Sequence, residues 1–264
     1  MLVALFASPS FGQAIRRPAE FHPGEGSRFT VEEEIVFGDK GADLVVSRGW
    51  PVHDAELERY ANSVLSKLVA NAPAYARSYH YRVSFLFGVS KTITGYANGH
   101  IIIMLPILRE FSDENEFATV LAHEIGHIAL RHGGILQTII DQCNADTDEM
   151  RKRSASDKEI EVRSHAYSED YFAKAQHHEF EADAFGIQLA LAAGYDPRSA
   201  TKWLDRHNES DTAHPPGGIR AESMRLEMTA YLTAHPEWQP ELLDKKAYSA
   251  FLLHAFRLKG PRYK

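Results

Sequence analysis

His123-Glu124-Ile125-Gly126-His127 reads H-E-x-x-H. Two histidines four apart on a helix lie about one turn apart on the same face, so both imidazoles can reach a single metal ion. Glu124 projects beside them, where its carboxylate can take a proton from a water held by that metal. This is the layout of a zinc hydrolase that cuts amide bonds. The surrounding residues predict the helix. Ser112 or Asp113 can cap its N-terminus, and Glu116 follows Asp113 at the spacing of a capping box. Phe117, Val120, Leu121, Ile125 and Ile128 recur at helical spacing. Gly133-Gly134 is expected to stop or kink the helix. Gly126 costs about 1 kcal/mol in a helix interior relative to alanine, which points to a close packing contact beside the metal.

H-E-x-x-H alone is short enough to arise by chance, and a catalytic zinc takes three protein groups while leaving one position for water. The metzincin pattern places a histidine where this chain has Gly133 and a glycine where it has Leu130, so that solution fails. The alternative is a glutamate from a later helix. In His178-Glu179-Phe180-Glu181-Ala182-Asp183, residues Glu179 and Asp183 share one helical face. Glu179 can bind the metal while Asp183 accepts a hydrogen bond from the free N–H of a ligating histidine, which fixes the ring and its tautomer.

H-E-x-x-H followed by E-x-E-A-D and a downstream His214-Pro215-Pro216 resembles the M48 family of zinc metallopeptidases, over roughly residues 50 to 225. The resemblance implies one zinc per chain, held by His123, His127 and Glu179. It implies Glu124 as general base, Asp183 behind the ligands, and His214 with Arg220 near the metal. His214 matches a histidine that either approaches the zinc as a fourth ligand or stabilises the oxyanion. The alternative for His214 is a plain loop residue ahead of a helix begun by prolines. Where family members carry a proline-glycine segment before a strand, this chain has Thr94-Gly95-Tyr96-Ala97-Asn98-Gly99-His100. The turn-plus-strand shape survives with Asn98-Gly99 as the turn. Ile101, Ile102 and Ile103 then form either an edge strand that holds an extended peptide by main-chain hydrogen bonds or a plain core strand.

The implied fold is α+β: a mostly helical zincin-like (gluzincin) domain over residues 50–264, with a small sheet beside the H-E-x-x-H helix. Residues 15–49 are expected to form an extension wrapping the surface. Leu2-Val3-Ala4-Leu5-Phe6-Ala7, with small residues up to Ala14, is expected to be a signal peptide over 1–14 whose basic start is missing, which makes the protein periplasmic or otherwise exported; the alternative is a flexible N-terminal arm, with the cytoplasm as the fallback location. No stretch has the roughly 18 apolar residues a membrane span needs. The net charge of −7, with no long basic run, argues against nucleic acid as a partner. The single cysteine, Cys143, excludes an intrachain disulfide and a cysteine cluster for structural zinc, and is expected to be buried. Of 14 histidines, His132, His165, His177 and His178 lie near the motifs, and none is assigned to the metal. Residues 144–170 are dense in charge and read either as a mobile connector, which can act as a lid, or as an exposed helix.

These features predict a zinc-dependent endopeptidase acting on protein or peptide substrates, with unfolded or misassembled envelope proteins as the implied class. A zinc-binding chaperone that holds such proteins without cutting them is the alternative, as is a latent protease blocked by His214. An intact Glu124 favours an enzyme, because a pure binder has no use for a general base.

Overall fold

The computed structural model describes residues 21–260; the expected signal peptide lies outside them. Twelve elements of regular helix or strand follow one another among the described residues: α1 (Val31–Arg48), β1 (Trp50–Val52), α2 (Ala55–Ala70), β2 (Arg82–Phe87), β3 (Ile93–Gly95), β4 (His100–Met104), α3 (Glu114–Ala129), α4 (His132–Lys152), α5 (Asp157–Ala192), α6 (Arg198–Arg206), α7 (Gly217–Ala234) and α8 (Lys245–Arg257). The fold is α+β, as expected.

The sheet has the order β1-β2-β4-β3. β2 and β4 run parallel, while β1 and β3 pair antiparallel at the two edges. Asn98-Gly99 makes the tight connection from β3 to β4, with Gly99 at φ +88°. β4 is therefore an inner strand. Ile101 and Ile103 point into the main core with Phe85 of β2, Leu57 and Leu65 of α2, and Phe117, Leu121 and Ile125 of α3. Ile102 faces the other way and packs with Leu86 and with Ala42 of α1. A strand buried on both faces reads as a continuous apolar run, which is why three isoleucines stand in succession. Of the two readings of Ile101, Ile102 and Ile103, the edge strand offered to a peptide is corrected: β2 and β3 occupy both sides of β4, and the edge beside α3 belongs to β3.

Within the expected extension, residues 31–48 are a helix. Thr30 and Glu33 form a reciprocal capping box that starts α1, and α1 covers the back of the sheet. Asp113 caps α3 as expected, accepting from the Glu116 N–H at 2.9 Å. Glu116 reaches one residue further back than a capping box does, accepting from the Ser112 N–H at 2.7 Å.

The glycines do not end α3. It stops at Ala129, and Arg131 makes the turn with left-handed backbone (φ 63°) before α4 begins at His132 with both glycines inside it. The Arg131 guanidinium is held by Glu34 at 2.9 Å and by the Phe29 carbonyl, which offsets the strain of a positive φ in a non-glycine residue. A Cβ on Gly134 would collide with the Glu34 carboxylate, so that glycine serves packing.

Residues 144–170 are helical apart from a short turn after Lys152. They form the exposed end of an α4–α5 hairpin, tied by Arg163 and Tyr167 to Asp146. Cys143 is half-buried in the hairpin rather than fully enclosed. α5 runs for 36 residues, and its second half crosses behind α3. The approach is close because small residues face each other. A Cβ on Gly126 would lie 3.1 Å from Ala182 Cα, and one on Gly186 would lie 2.9 Å from the His123 backbone nitrogen. The packing contact expected for Gly126 is thus present. α6 and α7 close the far side through Ile187, Leu191, Leu204, Met224 and Met228, and α8 stacks Phe251 on Tyr60.

Candidate metal centre

The α3–α5 crossing brings the two motifs together. His127 Nε2 lies 3.0 Å from His123 Nε2 and 3.2 Å from Glu179 Oε1, and His123 Nε2 lies 3.6 Å from Glu179 Oε2. Ligands about 2.0–2.1 Å from a tetrahedral zinc stand about 3.3 Å apart, and the three observed spacings bracket that value. Two imidazoles and one carboxylate converging on one point are the donor set of a catalytic site with a position left open. His123, His127 and Glu179 therefore fit the metal that the sequence implies.

Behind the ligands lies a buried charge network. His123 Nδ1 faces Asp183 Oδ1 at 3.0 Å, which leaves Nε2 free for the metal. Arg220, from the first turn of α7, donates from Nε and Nη2 to the two Asp183 oxygens at 2.8 and 2.7 Å, and its Nη1 lies 2.8 Å from Glu179 Oε2. Burial works against ionisation of Asp183 and Glu179. The Arg220 charge and the histidines outweigh it and hold both carboxyls below their ordinary range. Burial also opposes the Arg220 charge, yet Asp183 and Glu179 raise its pKa above that of a free arginine. His127 gains basicity in the same way, since Glu179 outweighs the effect of burial.

Glu124 projects from α3 beside the histidines, toward β3. Its Oε2 accepts a 2.6 Å hydrogen bond from the Gly95 N–H on β3. Burial raises its pKa above the usual glutamate value, against the pull of the histidines and the Gly95 N–H. Any side chain at position 95 would press on Ile128 and on Glu124 at 3.0–3.1 Å, so glycine lets the strand approach Glu124. These groups open onto a cleft of about 840 Å³, whose walls include Ile93 and Gly95 of β3, Phe111, Trp203 and His214. His214 sits at the rim and is 54% exposed; its Nδ1 pairs with Asp211 at 2.9 Å, and its Nε2 comes within 4.0 Å of Glu179 Oε1.

The structure thus gathers Glu124, His123, His127, Glu179, Asp183, Arg220 and His214 around one cleft, and leaves Ile101, Ile102 and Ile103 in the core. Sequence reasoning left His132 without a role and favoured a solvated helix face for His177 and His178 over a place behind the ligands; His132 and His178 are buried beside His127. His132 Nδ1 lies 3.0 Å from His127 Nδ1, and the His132 ring stacks on His178 with centroids 4.0 Å apart. Both rings are buried. Burial pushes both pKa values down, that of His178 to about 3, so the pair is neutral. A signal for His178 was present: it shares a helix face with Ala175, Ala182 and Phe185, all buried.

Among the described residues, no helix is long and apolar enough to cross a membrane. Residues 55–239 match peptidase family M48. Similar proteins include the beta-barrel assembly-enhancing protease of Yersinia pestis, 24% identical over 199 residues, which are 69% of this chain and 39% of that protein. The beta-barrel assembly-enhancing protease of Escherichia coli (strain K12) is 23% identical over 212 residues, 75% of this chain and 42% of that protein. The mitochondrial metalloendopeptidase OMA1 of Arabidopsis thaliana is 30% identical over 112 residues, 39% of this chain and 20% of that protein. The chain thus spans about two fifths of the length of the first two relatives. With the matched region covering more than half of the sequence and holding both ligand motifs, the chain belongs to peptidase family M48.

Proposed function

We propose that the chain is a zinc-dependent endopeptidase acting on unfolded or misassembled proteins of the cell envelope. The observation that carries this reading is the convergence of His123, His127 and Glu179 with Glu124 standing free of the ligand set but open to the same cleft. Zinc held there supplies a Lewis acid that polarises the scissile carbonyl and acidifies a water to a pKa near 7. Glu124 accepts the water proton as attack begins and hands it to the leaving amine. The Gly95 N–H fixes the carboxylate, and burial raises the Glu124 pKa above the ordinary glutamate value, which favours its taking up a proton. Asp183, clamped by Arg220, holds the His123 ring in the tautomer that presents Nε2.

The substrate strand is proposed to lie along β3. β4 is bonded through the Thr92 carbonyl and the Tyr96 N–H, so the intervening odd-numbered residues turn their polar groups outward. Gly95 does so toward Glu124 itself. An extended peptide adding to Ile93–Gly95 would pass beside the base. The envelope setting rests on the relatives named beta-barrel assembly-enhancing protease and on the expected export signal. A chaperone without activity would need the ligands but not Glu124.

His214 supports a second reading, a latched enzyme. Its Nε2 reaches toward Glu179 from an exposed loop, within range of either a fourth ligand position or the developing oxyanion. His214→Ala raises proteolysis if the ring is a latch and lowers it if the ring stabilises the transition state. The main reading is tested by metal removal. Cleavage of an unfolded protein should cease with a chelator and return with zinc but not with magnesium, and chelator-resistant cleavage would refute it.

A further inference from the structure

We propose that His132 is a positioning residue for the metal ligand His127, completing a relay from His127 through His132 to Glu181. The inference rests on the zinc reading of the centre. His123 has a carboxylate directly behind it in Asp183, whereas among the described residues the outer nitrogen of His127 faces the Nδ1 of His132, at 3.0 Å.

The proton count fixes the direction. A neutral His127 that gives its Nε2 lone pair to the metal keeps its proton on Nδ1. That N–H donates to His132 Nδ1, which must therefore carry a lone pair. Neutral His132 then holds its own proton on Nε2. That nitrogen is buried, has no hydrogen-bond partner among the described residues, and lies 3.5 Å from Glu181 Oε2. A movement of a few tenths of an ångström closes the last link. The His132 ring is kept in place by His178, stacked face to face with the planes within 1° of parallel.

His132, His178 and Glu181 also form a group whose donor atoms lie close enough to hold a second metal. The same proton count argues against it. A metal on His132 Nε2 would put a proton on Nδ1, facing the Nδ1–H of His127 head-on at 3.0 Å. Stacked parallel rings also send their lone pairs along parallel planes rather than to one point.

The test is zinc affinity, read by competition with a chromophoric chelator, together with bound-zinc stoichiometry and the melting temperature of each metal-free protein. His132→Leu fills the space without an acceptor. His132→Asn places an oxygen near the position of Nδ1. The relay predicts one zinc per chain, about 10–100-fold weaker binding in His132→Leu, and recovery to within about threefold of wild type in His132→Asn. A metal-free melting temperature that falls equally in both variants would not explain that split. Equal zinc affinity in wild type and His132→Leu would overturn the relay, and so would His132→Asn binding no better than His132→Leu. Two zinc ions per chain, with the second lost in Glu181→Gln, would also overturn it and assign the cluster to a metal. A wild-type chain that takes up no zinc would overturn the zinc reading itself, and the relay with it.

Discussion

Gly186→Ala tests whether the ligand geometry is set by how closely α5 approaches α3. A methyl group there would stand 2.9 Å from the His123 backbone nitrogen and 3.1 Å from its Cα. Both are main-chain atoms in the middle of a helix, so no side chain can swing aside. Restoring ordinary contact needs the helices to part by about 0.5 Å, the scale at which a constellation of site residues loses its working geometry. Alanine gains about 1 kcal/mol over glycine in helix propensity, while forced overpacking costs about 1–3 kcal/mol. The net expectation is a loss of up to about 2 kcal/mol in metal-free stability, measured by urea unfolding. Because Glu179 sits two turns before Gly186 on α5 and His123 is the residue pushed, zinc affinity should weaken by about tenfold or more. Gly133→Ala is the matched control. Gly133 is exposed in the first turn of α4 with nothing within 4 Å of a Cβ, so the substitution should leave zinc affinity unchanged and stabilise by up to about 1 kcal/mol. If Gly186→Ala is as stable as wild type and binds zinc equally well, close helix approach does not set the site.

Arg220→Met removes the cation shared by Glu179 and Asp183 and should cost about 3–5 kcal/mol in the metal-free protein. The loss should be smaller with zinc bound, because zinc supplies Glu179 with another positive partner; equal losses in both forms would contradict this. Asp54 caps α2 through the Glu56 and Leu57 N–H groups and pairs with His254; the Leu57 N–H and His254 lower its pKa. A depressed carboxyl stabilises the fold above its unfolded pKa, and that stability is lost as pH falls through the folded value. Asp54→Ala should therefore cost about 1 kcal/mol at neutral pH, with the cost shrinking in melting curves as pH falls through the depressed carboxyl pKa, below the ordinary aspartate value. A cost that holds constant across that range would rule out the ionised cap.

The candidate ligand set was legible because each motif is local: i, i+4 spacing puts His123 with His127 and Glu179 with Asp183, whatever the rest of the chain does. Strand order was not, because it depends on pairing between distant segments. Ile101–Ile103 read equally well as an edge or an inner strand until β2 was seen in parallel alongside. The break after α3 was assigned to Gly133-Gly134 on propensity, whereas a tertiary contact, Glu34 on Arg131, holds a left-handed non-glycine residue there. His132 was left without a role for the same reason. It lies past that break, so helical periodicity counted from His127 says nothing of where it points.

The central claim is that Glu124 is the general base of a zinc-dependent peptidase. Its most direct test is cleavage of unfolded casein by the zinc-loaded chain and by Glu124→Gln, with bound zinc measured in both. The account predicts one zinc in each protein, cleavage by the wild type, and a loss of about 10²-fold or more in Glu124→Gln. Equal cleavage by the two proteins, or none by a wild type that holds its zinc, would contradict it.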